Sequence, residues 1–244
     1  MDKVTKIFAT DEGVVVIKGP TKNQIVQLLR EGEKTSKEIR EQLGKAKSTI
    51  SVHLSDLEKI GVIKEKKHPN DKRKKIFYIN SKLLGKSETP YDEHYEAILR
   101  KLRKRKDDSY GFLQSLFHLV RYGLTSFGLD IHPALKEIGR DAGKNIGKDF
   151  ESTNLKELME EIQGFWSGNK LGNIDFDGEN HIIVYDCFDC CDMPDVGETF
   201  CSLDEGLIEG IIEERLNLKV SVKEKECFGT GDNRCKFKIQ VLKD

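Results

Sequence analysis

The chain has 244 residues, 34% charged and 37% apolar, with 41 Lys+Arg against 42 Asp+Glu and six cysteines. That length allows two modest domains of ordinary soluble composition. No apolar run approaches the roughly 18 residues a membrane span needs, and no signal-peptide core follows Met1-Asp2-Lys3, so a cytoplasmic protein is expected. In that compartment cysteines are metal ligands or redox thiols more often than structural disulfides.

In chain order, Thr21 with Gln24 and Thr35 with Glu38 fit the capping box, in which a hydroxyl and a side chain three residues on satisfy each other's orphan amides. Two short helices are predicted. The first carries Ile25, Val26, Leu28 and Leu29 and stops near Gly32; the second carries Ile39 and Leu43 and stops at Gly44. In a third, Ile50, Leu54, Leu57 and Ile60 recur at 4, 3 and 3, behind a small polar leading edge of Lys47, Ser48, Thr49, Ser51 and Val52. A recognition helix needs this division, one stripe buried in its own domain and its first turns offered to base edges and phosphates. Next, the basic run from Lys64 to Lys75 separates Val62-Ile63 from Ile76-Phe77-Tyr78-Ile79, with Pro69-Asn70-Asp71 as a turn: a hairpin wing placing Lys72, Arg73 and Lys74 near phosphates.

Charge is divided along the chain. Residues 1–88 carry 20 Lys+Arg against 12 Asp+Glu, net +8, and subtracting these from the totals leaves 21 against 30, net −9, for the remainder. A basic small domain beside an acidic larger one suggests a nucleic-acid module attached to something else. From about Thr21 to Ile79 the order helix, helix, turn, helix, wing resembles the winged helix-turn-helix of ArsR-like regulators, which implies double-stranded DNA as a partner.

The domains expected are residues 1–88, the DNA-binding module; 89–110, a linker helix; and 111–244, a second domain. In the linker, Tyr91, Tyr95, Ile98 and Leu102 recur at 4, 3 and 4. Such a seam suits either pairing in a homodimer or packing onto the chain's own second domain. The second domain opens with a helix of Phe112, Leu113, Leu116, Phe117, Val120 and Leu124, on which His118 is read as a core or surface residue and not a ligand. In the next helix Gly139, Gly143 and Gly147 recur every four residues, a packing pattern, and a third runs from Asn154 to Gln163. Phe112, Phe117, Phe165 and Trp166 are candidates for a small apolar ligand's pocket or plain core. Strand patterns follow at residues 172–177 and 181–186, a helix near 203–216, and a closing strand pair at 218–222 and 235–241. The fold class expected is α+β: a winged helix-turn-helix plus a mixed domain with an antiparallel sheet. Gly229-Thr230-Gly231-Asp232 lacks the Gly-Lys-Ser/Thr ending of a phosphate-binding loop and reads as a turn.

All six cysteines fall in the last third. The group Cys187-Phe188-Asp189-Cys190-Cys191 has the two-residue gap that lets two thiolates share one tetrahedral ion or close a reversible disulfide, and spacing alone leaves both open. The stretch from Glu224 to Ile239, with Cys227 and Cys235 eight apart, resembles the terminal signature of V4R domains, small-molecule sensing modules named for 4-vinyl reductase; Cys201 followed by Asp204-Glu205-Gly206 also fits. The resemblance implies a Zn2+ site of Cys201, Glu224, Cys227 and Cys235. Residues three apart on a regular strand face opposite ways, so Glu224 and Cys227 bind together only at an irregular strand end, with Glu226 as the substitute. ArsR-like helix and V4R domain together resemble the V4R regulators of methanogenic archaea, which respond to redox state. The expectation is a homodimeric DNA-binding transcription regulator sensing redox through Cys187, Cys190 and Cys191, outside the zinc tetrad. A small apolar effector is the alternative. An enzyme is not expected, since no nucleotide fingerprint or nucleophile–base pair appears, and the basic wing argues against a protein-binding metal adapter.

Overall fold

The computed structural model describes residues 5–242 apart from residues 94 and 179, and of residue 72 the backbone only. The chain divides into two compact units, Met1–Thr89 and Pro90–Asp244.

The first unit opens with a hairpin, β1 (Lys6–Thr10) and β2 (Gly13–Ile17), which sequence reasoning missed. Helix α1 (Pro20–Arg30) starts one residue before the expected cap: Gly19, at φ 98°, is its N-cap with no side-chain bond, and Pro20 supplies the first turn. A proline there loses no hydrogen bond and already holds the helical φ. After the short strand β3 (Lys34–Thr35), α2 (Ser36–Leu43) has the expected box, with Thr35 N–H donating to Glu38 at 2.7 Å and Glu38 N–H to the Thr35 hydroxyl at 3.3 Å. Gly44, left-handed at φ 62°, ends it. Helix α3 (Lys47–Lys59) buries Ile50, Leu54 and Leu57. The wing is the hairpin of β4 (Ile63–His68) and β5 (Asp71–Ile79), so most of the basic run is strand, and β3 pairs with β5. Strand β6 (Lys82–Ser87) returns against β1. Phe8 and Ile17 join the helical stripe residues in the core.

The second unit contains α4 (Tyr95–Lys104), α5 (Ser109–Ser126), the two-residue strand β7 (Leu129–Asp130), α6 (His132–Gly147) and α7 (Leu155–Gly168). Strands β8 (Asn173–Phe176) and β9 (His181–Tyr185), α8 (Ser202–Leu216), β10 (Val220–Glu226), a 3-10 turn (Phe228–Thr230) and β11 (Cys235–Val241) complete it. The sheet order is β10-β11-β9-β8, antiparallel throughout. Mixed helices and antiparallel sheets make the protein α+β.

Helices α6 and α8 run side by side in the same direction. A Cβ at Gly143 would lie 2.1 Å from the Leu207 carbonyl oxygen, and one at Gly206 would lie 2.0 Å from that of Lys136. Only hydrogen fits there, and the backbones touch. Ion pairs flank the seam: Lys136 reaches Glu205 and Glu209, each at 2.8 Å, Arg140 pairs with Glu209, and Lys144 reaches Glu213 at 3.0 Å. The linker seam turns inward. Ile98 is buried in the second unit's own core, and Tyr95 packs against it and meets the ring of Phe127, while Leu102 is half-buried and Tyr91 is exposed.

Candidate metal centre and nucleic-acid interface

On α3 the buried stripe leaves the leading edge outside: Lys47, Ser48, Ser51 and Val52 are exposed and Thr49 is half-buried. Val52 is 59% exposed, an apolar side chain on an otherwise polar face. A groove of about 830 Å³ separates α2 and α3 from the wing, its walls including Arg40, Lys47, Ser51, His68, Arg73 and Lys74. Arg73 and Lys74 both lean on Asp71, at 3.3 and 3.5 Å, while Lys64, Lys66 and Lys75 pair with Asp11, Glu33 and Glu65. The side chain of Lys72 lies outside the described residues. Arg73 and Lys74 share the single carboxylate of Asp71, whereas Lys64, Lys66 and Lys75 each have an acid of their own.

In the second unit the cysteines arrive from three directions. Cys201 is the N-cap of α8, Cys227 follows β10 at the 3-10 turn, and Cys235 opens β11. Between Glu224 and Glu226 the register of β10 against β11 shifts, and this irregularity resolves the facing problem. It turns Glu224 and Cys227 to the same side, and Glu226 goes instead to Arg234 at 2.9 Å. Glu224 receives the N–H of Cys201 on Oε2 at 2.9 Å, while its buried Oε1 has no partner.

Cys190 joins them. Its Sγ lies 3.0 Å from that of Cys235 and 3.3 Å from that of Cys201, and Cys201 and Cys235 are 3.8 Å apart. Donor atoms of Cys190, Cys201, Glu224, Cys227 and Cys235 all fall within 4.8 Å of one another. A tetrahedron with metal–sulfur bonds of about 2.3 Å has edges of about 3.8 Å; the Cys201–Cys235 separation of 3.8 Å has that length, and the two from Cys190, at 3.3 and 3.0 Å, are shorter. The residues therefore fit a single thiophilic metal.

The expected separation of a redox trio from a metal tetrad does not hold for Cys190, which lies inside the cluster. Cys187 stands beside it, 3.7 Å from the Cys201 sulfur and 3.6 Å from an Asp204 oxygen. Cys191 is half-buried. The two outlying thiols differ. Hydrogen bonds from Cys190, Cys201 and Cys235 hold the Cys187 thiol below its ordinary pKa despite burial, whereas burial and then Asp192 and Asp186 push Cys191 up. Burial also lifts the Glu224 carboxyl to about 9 and that of Asp189 to about 6.

The loop of residues 187–192 is held by α4 and α5. Gln114 donates to the Phe188 carbonyl at 3.1 Å, His118 Nε2 lies 3.0 Å from the same oxygen, and buried Arg121 pairs with Asp189. Arg105 reaches Gln114 at 2.6 Å and Asp192 at 3.2 Å. His118 is thus a core residue. The four aromatic candidates are not drawn into one set by their ring contacts: Phe117 meets Phe188 and Arg121, while Phe165 and buried Trp166 meet each other and Phe165 meets Phe150. Phe112 is half-buried on α5. No described helix is long and apolar enough to cross a membrane.

Comparison with known proteins agrees with this division. The family model of the arsR family of bacterial regulatory proteins matches residues 19–65, and that of the V4R domain matches residues 180–241. Two uncharacterized proteins of Methanocaldococcus jannaschii, MJ0150 and MJ1642, are each 33% identical over 132 residues, 52% of this chain and 75% and 77% of theirs. A solved vinyl-4-reductase family protein from the same organism aligns with 62% of this chain and 96% of its own at 19% identity and TM-score 0.40. The phenol-responsive sensory domain of the activator PoxR, solved with phenol, aligns with 68% and 80% at 11% identity and TM-score 0.37. An ArsR-type helix-turn-helix joined to a V4R domain describes a DNA-binding regulator with a sensory domain. The chain belongs to the V4R family in that form.

Proposed function

We propose that this protein is a transcription regulator that binds double-stranded DNA as a homodimer through α3 and the wing, and whose V4R unit holds one Zn2+ and reports redox state. The observation that carries the reading is the convergence of five buried donors, four of them thiols, at the foot of a loop bearing two further cysteines. Zinc bound there would tie the start of α8, the β10–β11 turn and the loop together, a closed structural site that adds to folding stability. Cys187 and Cys190 are the redox pair in this reading, their gap of two residues being one that a disulfide spans. Oxidation would pull the loop away from Gln114, His118 and Arg121 on α5. Since α4 and α5 directly follow the winged unit in the chain, loosening their hold on the loop biases the placement of the DNA-binding half. A signal acts only through such a difference between two states.

The test is an anisotropy titration of an operator duplex with wild type and a Cys187→Ser, Cys190→Ser, Cys191→Ser variant, each under reductant and mild hydroperoxide, with zinc content measured in parallel. Wild type should change affinity on oxidation and the variant should not. A full response in the variant moves the switch to Cys201, Cys227 and Cys235; no response in wild type sinks the redox reading and leaves a small-molecule effector as the signal.

A further inference from the structure

Five donors surround a centre that needs four. Cys201, Cys227 and Cys235 are fixed by a helix start, a tight turn and a strand start. The other two differ in their anchorage. Cys190 sits on the loop, whereas Glu224 sits on β10, its own N–H donating to Glu205 at 2.7 Å. One Glu224 oxygen is occupied by the Cys201 N–H, and the other is the buried atom with no partner. A buried acceptor with no donor is uncommon in a folded protein and calls for an explanation such as an ion. A thiolate is the softer ligand and the preferred one for zinc among sulfur donors, yet a carboxylate oxygen also completes tetrahedral zinc at about 2.0–2.2 Å.

We propose that Cys190 and Glu224 are interchangeable fourth ligands: Cys190 binds while the loop is docked, and Glu224 takes the position when the loop leaves. This rests on the metal-site reading above and extends it. The exchange needs no backbone movement on β10, because the bulge after Glu224 already turns its side chain into the cluster. Its consequence is that residues 187–192 can be released while the ion stays and α8, β10 and β11 remain joined. Cys187 does not serve this role; it faces Cys201 and Asp204 and stands outside the five-donor group.

The test uses the full chain loaded with Zn2+, and with Co2+ as a spectroscopic probe, under reductant. X-ray absorption should count four sulfurs in wild type and in Glu224→Gln, but three sulfurs and one oxygen in Cys190→Ser. Each single variant should retain the metal through dialysis, while the double variant should bind at least about tenfold more weakly than either, the lower end of the loss seen when only the groups supporting a metal's ligands are removed. The exchange is overturned if Cys190→Ser loses metal as completely as the double variant, or if wild type already has three sulfurs and one oxygen and Cys190→Ser leaves that unchanged. The sulfur count of Cys190→Ser decides the matter even where Glu224→Gln does not fold. A reduced wild-type protein that takes up no metal fails in a different way, since it removes the site itself.

Discussion

His118 shows how a single buried residue ties α5 to the cysteine loop. Its Nε2–H donates to the Phe188 carbonyl and its Nδ1 is buried with no partner, so the ring has no place for a second proton. Burial lowers its pKa from 6.5 to about 4. As pH falls through 6.5 the unfolded chain takes up a proton that the native ring refuses until about 4; the stability due to neutral His118 is therefore complete above 6.5 and drains away between 6.5 and 4. This single group should cost on the order of 2 kcal/mol between pH 7 and 5. His118→Gln, which keeps a donor for Phe188, should flatten that part of the stability curve in urea titrations at the two pH values; an unchanged slope would show that the histidine titrates freely. At this scale the sequence singled out Cys201, Glu224, Cys227 and Cys235, which do converge, but set Cys190 apart from them. Spacing shows that Cys187 and Cys190 can meet one ion, and cannot show that a turn swings one of them against Cys201 and Cys235 while leaving the other beside Asp204. Choosing Glu224 over Glu226 likewise required the β10 bulge, a feature of the pairing with β11 that no local pattern encodes.

Among the elements, the glycine-lined contact of α6 and α8 is the most sensitive to substitution. Gly143→Ala would drive a methyl group into the Leu207 carbonyl and part the helices, with an expected loss of at least about 3 kcal/mol, the upper range for overpacking. Gly164→Ala on α7 is the control. Nothing lies within 4 Å of its added carbon, so relief of the helical glycine penalty should raise stability by about 0.5–1 kcal/mol. Thermal denaturation of the two variants separates the effects; equal destabilisation would contradict the close contact. The four-residue glycine period was legible in the sequence as packing, but its partner was not, because Gly206 and Gly210 lie in a helix that is buried along most of its length and offers no one-sided stripe. The capping box of α2 was also legible, being wholly local. The hairpin of β1 and β2 and its pairing with β6 were not, since β1 and β6 are more than 70 residues apart in sequence.

For the whole molecule, the split of charge into a basic winged unit and an acidic V4R unit sets how DNA binding should respond to salt. Arg73→Ala or Lys74→Ala should weaken every duplex and reduce the slope of log affinity against log salt by about 0.9 for each phosphate no longer neutralised. Val52→Ser, which removes an exposed methyl pair fit to meet a thymine methyl, should instead redistribute preference among sequences, at about 1–3 kcal/mol for the affected base pair. Uniform losses on all duplexes from both kinds of variant would refute the placing of α3 in the groove. A different consequence follows from the parallel α6–α8 seam. Its glycines recur every four residues on both helices, and so do Lys136, Arg140 and Lys144 opposite Glu205, Glu209 and Glu213, with Lys136 already touching two of the three acids. Small slips would press backbone against backbone and pull the ion pairs apart; a shift of four residues, about 6 Å, would set two of the three cations opposite the next acid along. Any travel along this seam would therefore be stepwise, like a rack meeting its next tooth, and because Cys201 caps α8 this candidate metal ligand would move by the same step or not at all.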